Sequence, residues 1–292
     1  MMAPVRIATR RSALARWQAS LVGERLGRYE LVEVHTAGDR DQASSLAEIG
    51  GQGVFVKEVQ AAVVRGEADI AVHSAKDLPT AAGPLLLAAV LERADARDAI
   101  VGARLEELAI GARVGTSAPR RAAQLRLLRP DLEVVSIRGN IATRLGRVGE
   151  LDAIVMAVAA LERLGLEEPP WWPLPEEVLC PQAGQGAIAV ECAPDADGLI
   201  ERLRSLDDDR SRREIEAERA VLAAFGTGCA LPLGARAHAD GSSLRLRAVA
   251  VDPDGTRQLE VEREGVDPAT LGATVAEVLR RLGADALVGA RP

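Results

Sequence analysis

Short apolar stretches of strand character recur between helical ones along most of this chain, and no other feature limits its fold as much. Residues 5–9, 31–36, 68–72 and 85–91 read as strands, and 112–115, 133–137, 152–158 and 187–192 repeat the pattern. Helical spacing fills the intervals. Ser12 would cap a helix whose Leu14, Trp17 and Leu21 face a core, 54–65 forms another, and Pro119 suits the first position of a helix reaching Leu128. Such alternation predicts α/β layers with largely parallel sheets. Residues 37–53 are polar and glycine-rich, the longest patternless stretch of the first half, and are expected to form a mobile loop. Their Gly50-Gly51-Gln52-Gly53 lacks the dinucleotide-binding spacing. The segment 169–175 carries four prolines and two tryptophans and reads as an irregular excursion. Beyond Asp207-Asp208-Asp209 the pattern changes: 211–225 is helical, 235–239 strand-like, and 244–251 with 258–263 forms a hairpin around Asp252-Pro253-Asp254-Gly255. A helix over 268–282 closes a small α+β part.

The 292 residues suffice for two or three domains. No apolar run approaches the roughly 20 residues of a membrane span, and the first residues enter a strand without a signal-peptide core. Cys180, Cys192 and Cys229 lack CxxC spacing and suggest no disulfide framework, so a reducing cytoplasm is expected. A metal is not implied, since no His/Cys cluster is present. The net charge of −7 disfavours nucleic acid. Within 113–147, however, eight arginines stand against Asp131 and Glu133, a net of +6 that suits a small polyanion.

Ligands of open α/β sheets bind beyond the carboxyl ends of strands, beside helix N-termini. Arg10, Ser12, Lys76, Asp77, Thr116, Ser117, Arg120, Arg121, Arg138 and Arg144 all fall at such ends. Repeated guanidiniums there suit carboxylates. Asp77 is the one acid of this set. Gly226-Thr227-Gly228-Cys229-Ala230-Leu231-Pro232-Leu233-Gly234 is a backbone-dominated turn with a thiol at its tip, its glycines leaving room for a bulky group at the sulfur.

Seven ordered segments carry a family resemblance. Ile7-Ala8-Thr9-Arg10-x-Ser12, Gly53-Val54-Phe55-Val56-Lys57-Glu58, Ala68-Asp69-Ile70-Ala71-Val72-His73-Ser74-Ala75-Lys76-Asp77, Gly115-Thr116-Ser117-x-x-Arg120-Arg121, Arg138-Gly139-Asn140-x-x-Thr143-Arg144, Gly184-Gln185-Gly186-Ala187 and Gly228-Cys229-x-x-Pro232-x-Gly234 stand in this order. Together they resemble the porphobilinogen deaminase (hydroxymethylbilane synthase) family.

The resemblance implies two periplasmic-binding-protein-like α/β lobes plus the small C-terminal domain. Residues 1–93 with 185–206 would form the first lobe, 97–182 the second, and 209–292 the cofactor-bearing domain. It implies a transferase that joins four porphobilinogen molecules head to tail into hydroxymethylbilane, releasing ammonia, on a dipyrromethane attached through a thioether to Cys229. Asp77 maps onto the catalytic carboxylate. Lys76, Thr116, Ser117, Arg120, Arg121, Arg138 and Gly139 map onto cofactor-binding positions, and Arg10, Ser12, Phe55, Arg144, Arg163 and Gln185 onto substrate-binding ones. A cytoplasmic monomer handing its product to uroporphyrinogen-III synthase is the corresponding expectation. The chain departs from many relatives at Glu48 and Gln52, where lysines are common, and at Ala118-Pro119. A two-lobed binding protein would explain the arginines but not Asp77 with Cys229. A cysteine nucleophile would need a histidine base, and nothing in the sequence ties His35, His73 or His238 to the thiol.

Overall fold

The computed structural model describes residues 3–35, 56–226 and 231–288. The chain begins with β1 (Val5–Arg10), α1 (Ala13–Leu26), β2 (Tyr29–Val34), α2 (Lys57–Val64), β3 (Ile70–Ser74) and β4 (Leu86–Val90). There follow β5 (Asp98–Val101), β6 (Arg113–Gly115), α3 (Pro119–Leu128), β7 (Glu133–Val135), α4 (Ile141–Leu145), β8 (Ala153–Ala157), α5 (Val158–Arg163) and β9 (Trp171–Pro173). Next come β10 (Ile188–Cys192), α6 (Asp197–Arg204) and α7 (Asp209–Ala224). The chain closes with β11 (Leu233–Asp240), β12 (Ser243–Val251), β13 (Gln258–Gly265), α8 (Pro268–Arg281) and α9 (Ala284–Val288). Two compact units result: Met1–Ala94 with Gly186–Arg212, and Asp95–Gln185 with Arg213–Pro292.

The first unit holds a five-stranded sheet in the order β2-β1-β3-β10-β4. Its first three strands are parallel, and β10 runs against both of its neighbours. The second unit repeats the arrangement as β7-β6-β8-β5-β9, with β5 as the reversed strand. Four of the five strands in each sheet thus share a direction, so the sheets are largely parallel as expected and differ from fully parallel ones in one reversed strand. The difference arises because each sheet takes its fourth strand from a stretch outside its own strand–helix succession. The run 98–101 is only four residues long and opens on an acid, so its sequence does not mark it as a strand.

Alternation across the strands builds two apolar layers in each unit. In the first, Ile7, Ile70, Val72, Ile188 and Val190 pack on one side with Ala19 and Val22 of α1, while Ala8 and Ala71 pack on the other with Val59, Ala62 and Val63 of α2. The buried stripe of α1 is Gln18, Ala19, Val22 and Gly23, rotated from the expected Leu14, Trp17 and Leu21, of which Leu21 still packs partly buried against the core. Trp17 is 37% exposed. Gly23 sets this rotation, because a Cβ there would meet the Tyr29 ring at 2.5 Å, so β2 packs directly on the helix backbone.

The proline-rich excursion contains a strand, β9. It sits at the sheet edge and pairs only with β5, a place where the missing N–H of Pro173 costs no ladder bond. The antiparallel sheet β11-β12-β13 packs Leu244, Leu246, Ala248 and Ala250 against α7, α8 and α9. Asp252 fixes the β12–β13 turn by accepting from the Thr256 and Arg257 amides at 2.6 and 3.1 Å.

In α8, Gly272 lies against α7. An added Cβ would meet Ala220 and stand 2.5 Å from the Ala217 carbonyl oxygen, an atom that cannot swing aside. Gly272→Ala is expected to destabilise the protein by about 1–3 kcal/mol through overpacking, despite the better helix propensity of alanine. Denaturant midpoints of the two proteins check this.

Candidate functional site

Adjacent parallel strands deliver their following loops to one sheet edge. Arg10 ends β1, and Ser12 then caps α1, its Oγ accepting from the Ala15 amide at 3.3 Å. One strand over, β3 ends at Ser74, and a single 3-10 turn, Ala75–Asp77, presents Lys76 and Asp77. The Ala75 amide donates to the Ala187 carbonyl at 3.0 Å, which fastens the start of this turn to the residue that leads into β10. The first unit thus gathers Arg10, Ser12, Lys76 and Asp77 on the carboxyl edge of β1 and β3, as sequence reading expected.

The second unit does likewise. Thr116 and Ser117 follow β6, and the Thr116 Oγ1 accepts from the Ala118 amide at 3.3 Å, just before Pro119 opens α3. The Ala118-Pro119 departure therefore retains a helix start. Arg138 lies beyond β7, and Gly139 turns there with φ +102°, where a Cβ would crowd the Thr143 side chain. Asn140 caps α4 through Thr143 N–H at 3.0 Å, and Arg144 Nε donates back to the Gly139 carbonyl at 2.9 Å. Arg163 closes α5, after β8. Burial lowers its guanidinium to about 10, opposed by the charge of Glu162.

Sequence reading missed an acid. Asp98, the first residue of β5, is wholly buried beside Arg120 and Arg121. Arg120 Nη2 reaches Asp98 Oδ2 at 2.7 Å, and Arg121 Nη2 reaches Oδ1 at 2.6 Å. Gln185 Nε2 adds a bond to Oδ1 at 2.9 Å and another to the Ala96 carbonyl at 2.8 Å. Arg120 Nη1 donates to the Cys180 carbonyl at 2.5 Å, and Arg121 Nη1 to that of Val155 at 3.0 Å. Gln124 completes the set by accepting from the Cys180 amide at 2.7 Å. Burial alone would raise the Asp98 carboxyl, but the charges of Arg120 and Arg121, with bonds from Arg121 and Gln185, bring it to about 2. The signal in the sequence was an acid opening an apolar run, since a carboxylate there must find cations.

Phe55 and Cys229 lie outside the described residues, as do Glu48, Gln52 and the expected mobile loop. Cys180 and Cys192 are free and buried. Burial pushes the Cys180 thiol up to about 12 and raises that of Cys192, which leaves neither disposed to form a thiolate. Among the described residues, no group of His, Cys, Asp and Glu could hold a metal ion, and no helix is long and apolar enough to cross a membrane.

Residues 5–201 match the family described as porphobilinogen deaminase, dipyromethane cofactor binding domain, and residues 212–281 match the porphobilinogen deaminase C-terminal domain. The chain belongs to the porphobilinogen deaminase family. A porphobilinogen deaminase of Acidothermus cellulolyticus is 48% identical, with 98% of this chain and 91% of that protein covered. One from Stenotrophomonas maltophilia is 44% identical over 98% of this chain and 99% of its own. Among solved structures, an ancestral cationic amino acid solute binding protein aligns over 70% of this chain and 87% of its own, at 10% identity and a TM-score of 0.43.

Asp98 is expected to make this porphobilinogen deaminase family member acid-sensitive. Its native carboxyl, at about 2, lies below the ordinary 3.8, so the unfolded chain binds more protons in that interval. The stabilisation is complete above pH ~5 and is lost as pH falls toward 2, on the order of 2 kcal/mol. Asp98→Asn is expected to cost about 3–5 kcal/mol at neutral pH, because two buried guanidiniums lose their counter-charge, and to flatten this acid limb. Unfolding midpoints from pH 7 to 3 on both proteins check the two effects.

Proposed function

We propose that this chain condenses four porphobilinogen molecules head to tail into hydroxymethylbilane, releasing ammonia, and starts from a dipyrromethane joined through a thioether to Cys229. Polymerisation of porphobilinogen is the activity of the family to which the chain belongs. One observation carries the reading beyond the family: a single turn sets the Asp77 carboxylate on the sheet edge that also bears Arg10, Ser12 and Lys76.

The chemistry of the donors fits a pyrrole chain. Each ring brings an acetate and a propionate, and Arg10, Lys76, Arg138, Arg144 and Arg163 with the hydroxyls of Ser12, Thr116 and Ser117 supply cations and donors for them. A carboxylate arriving at Arg163 would offset the cost that burial imposes on its charge. Arg120, Arg121 and Gly139 belong to the proposed cofactor-binding set, and Phe55 and Gln185 to the substrate-binding set. Because Arg120 and Arg121 already hold Asp98, replacing either removes structure together with a cation. The buried, raised thiols of Cys180 and Cys192 support Cys229 as the attachment point. In this reading residues 1–93 with 185–206, 97–182 and 209–292 act as three domains. The protein works as a cytoplasmic monomer and passes its product to uroporphyrinogen-III synthase.

When bound, the dipyrromethane supplies the free pyrrole position from which the chain grows. The protein groups do the rest. The arginines fix ring orientation through the carboxylates, so that each incoming substrate meets the chain end in one pose. As ammonia leaves a substrate aminomethyl group, positive charge spreads into that ring, and the negative charge of an ionised Asp77 stabilises it. After the carbon–carbon bond forms, the proton on the attacked pyrrole carbon must leave, and an Asp77 Oδ is the base within this edge set.

Two variants test the assignment. Cys229→Ser should show the unmodified intact mass and no turnover; a normal cofactor mass on it would overturn the attachment. Asp77→Asn keeps shape and removes charge, and should retain the cofactor mass while turnover falls about a hundredfold or more, roughly 2.7 kcal/mol. Near-normal turnover would make Asp77 a structural residue.

A further inference from the structure

Strand β3 delivers Asp77, and its last two side chains are held from opposite faces of the sheet. His73 and Ser74 are consecutive, so they point to opposite sides. On the α2 side, His73 is buried with its Nε2 3.2 Å from Glu191 Oε2, an ion-pair distance whose angle makes no hydrogen bond. Glu191 sits on β10, the strand paired with β3, and Gln60 Nε2 of α2 donates to both of its oxygens at 3.0 and 2.9 Å. These contacts fix the strand from that face.

On the α1 side, a buried Gln18 makes a reciprocal pair with Ser74. Gln18 Nε2 donates to Ser74 Oγ at 2.9 Å, and Ser74 Oγ stands 3.3 Å from Gln18 Oε1. Ser74 is the residue from which the 3-10 turn starts, three positions before Asp77. Helix α1 is itself fastened to β1, since Thr9 Oγ1 donates to the Ala15 carbonyl at 3.1 Å while Ser12 caps the helix. One amide side chain therefore joins the segment carrying Arg10 and Ser12 to the turn carrying Lys76 and Asp77. A buried polar pair in an otherwise apolar layer contributes little net stability, and an apolar pair of the same shape would serve packing as well. What the pair adds is direction: it allows one orientation of the Ser74 backbone and so of the turn that follows.

We propose that Gln18 and Ser74 are positioning residues for Asp77, registering its carboxylate against the Arg10–Ser12 edge. This rests on Asp77 acting as the reacting carboxylate. Gln18→Met keeps length and removes the amide, Ser74→Ala removes the hydroxyl, and Ser74→Thr keeps it. Each would be purified with its cofactor and compared by intact mass, thermal midpoint, steady-state turnover and hydrogen–deuterium exchange of the peptide covering 74–79. Gln18→Met and Ser74→Ala are expected to carry the normal cofactor mass and lose kcat about tenfold or more, with KM within about threefold, because misplacing a catalytic group acts on the transition state. The double variant should lose no more than either single one, exchange at 74–79 should rise in all three, and Ser74→Thr should recover most of kcat. If kcat stays within twofold and only the thermal midpoint falls, the pair is structural and the proposal is overturned. Asp77→Asn separates the two readings: normal turnover there removes the carboxylate role and this inference with it, whereas an inactive Asp77→Asn beside active Gln18→Met and Ser74→Ala removes this inference alone.

Discussion

A carboxylate sealed among two guanidiniums organises the second unit. Asp98 opens the reversed strand β5, Arg120 and Arg121 open α3, and Gln185 comes from the segment that returns before β10. Three pieces distant in sequence converge on one pair of oxygens. Breaking one partner would leave a buried uncompensated charge, so the elements keep a single mutual arrangement. The arrangement extends outward through Arg120 and Gln124, which hold both the carbonyl and the amide of Cys180. Thr116 and Ser117 precede α3 by only a few residues, so the place of those hydroxyls depends on an acid that touches neither.

A second ionic cluster performs the same service for the three-stranded sheet of that unit. Arg236 on β11 faces Glu176, Glu214 and Glu218 at 2.8, 2.7 and 3.4 Å. Burial alone would raise Glu176, but the bond from His238 and the charge of Arg236 hold it at about 2. Arg247 adds a hydrogen bond from its Nη1 to the Glu176 carbonyl at 2.8 Å. The loop at 176–177 is thereby fixed to β11 and β12. Leu231 and Leu233, the first described leucines after Cys229, are buried in the core of the same sheet. The proposed attachment point, Cys229, thus lies within a few residues in sequence of an element that side-chain charge has locked in place.

Much of this was legible before any coordinates. Strands with both faces buried, such as β8 and β10, write themselves as apolar runs, and a capping residue such as Ser12 marks a helix start directly. Strand-end placement followed from topology, so Arg10, Lys76, Asp77, Thr116 and Arg138 could be assigned to sheet edges. What escaped was pairing at long range. Nothing local says that Asp98 will meet Arg120, that Glu191 will meet Gln60 131 positions away, or that Gly23 will receive the Tyr29 ring. Strand β9 escaped for the opposite reason: prolines argue against a strand locally, and only its edge position admits them.

The charge distribution shows how an acidic chain can serve a polyanion. The net of +6 over 113–147 overstates the field there, because Asp98 and Glu150 enter from outside the window to meet Arg120, Arg121 and Arg147. Arg129 is likewise matched by Asp131 at 2.6 Å, and Arg113 faces Glu133 at 3.8 Å. The same holds elsewhere, with Arg6 on Asp69, Arg65 on Glu67, Arg97 on Asp95 and Arg212 on Asp207, all within 2.7 Å. Guanidiniums matched in this way add little, among the described residues, to a broad cationic surface that a long polyanion could follow. Recognition then depends on where individual guanidiniums stand rather than on how many there are. Strand ends are suited to that, since each is set by a buried sheet and followed by a helix start that adds amide donors. Carboxylates spaced along a short rigid ligand can match such fixed points, and a longer flexible polyanion gains nothing from them.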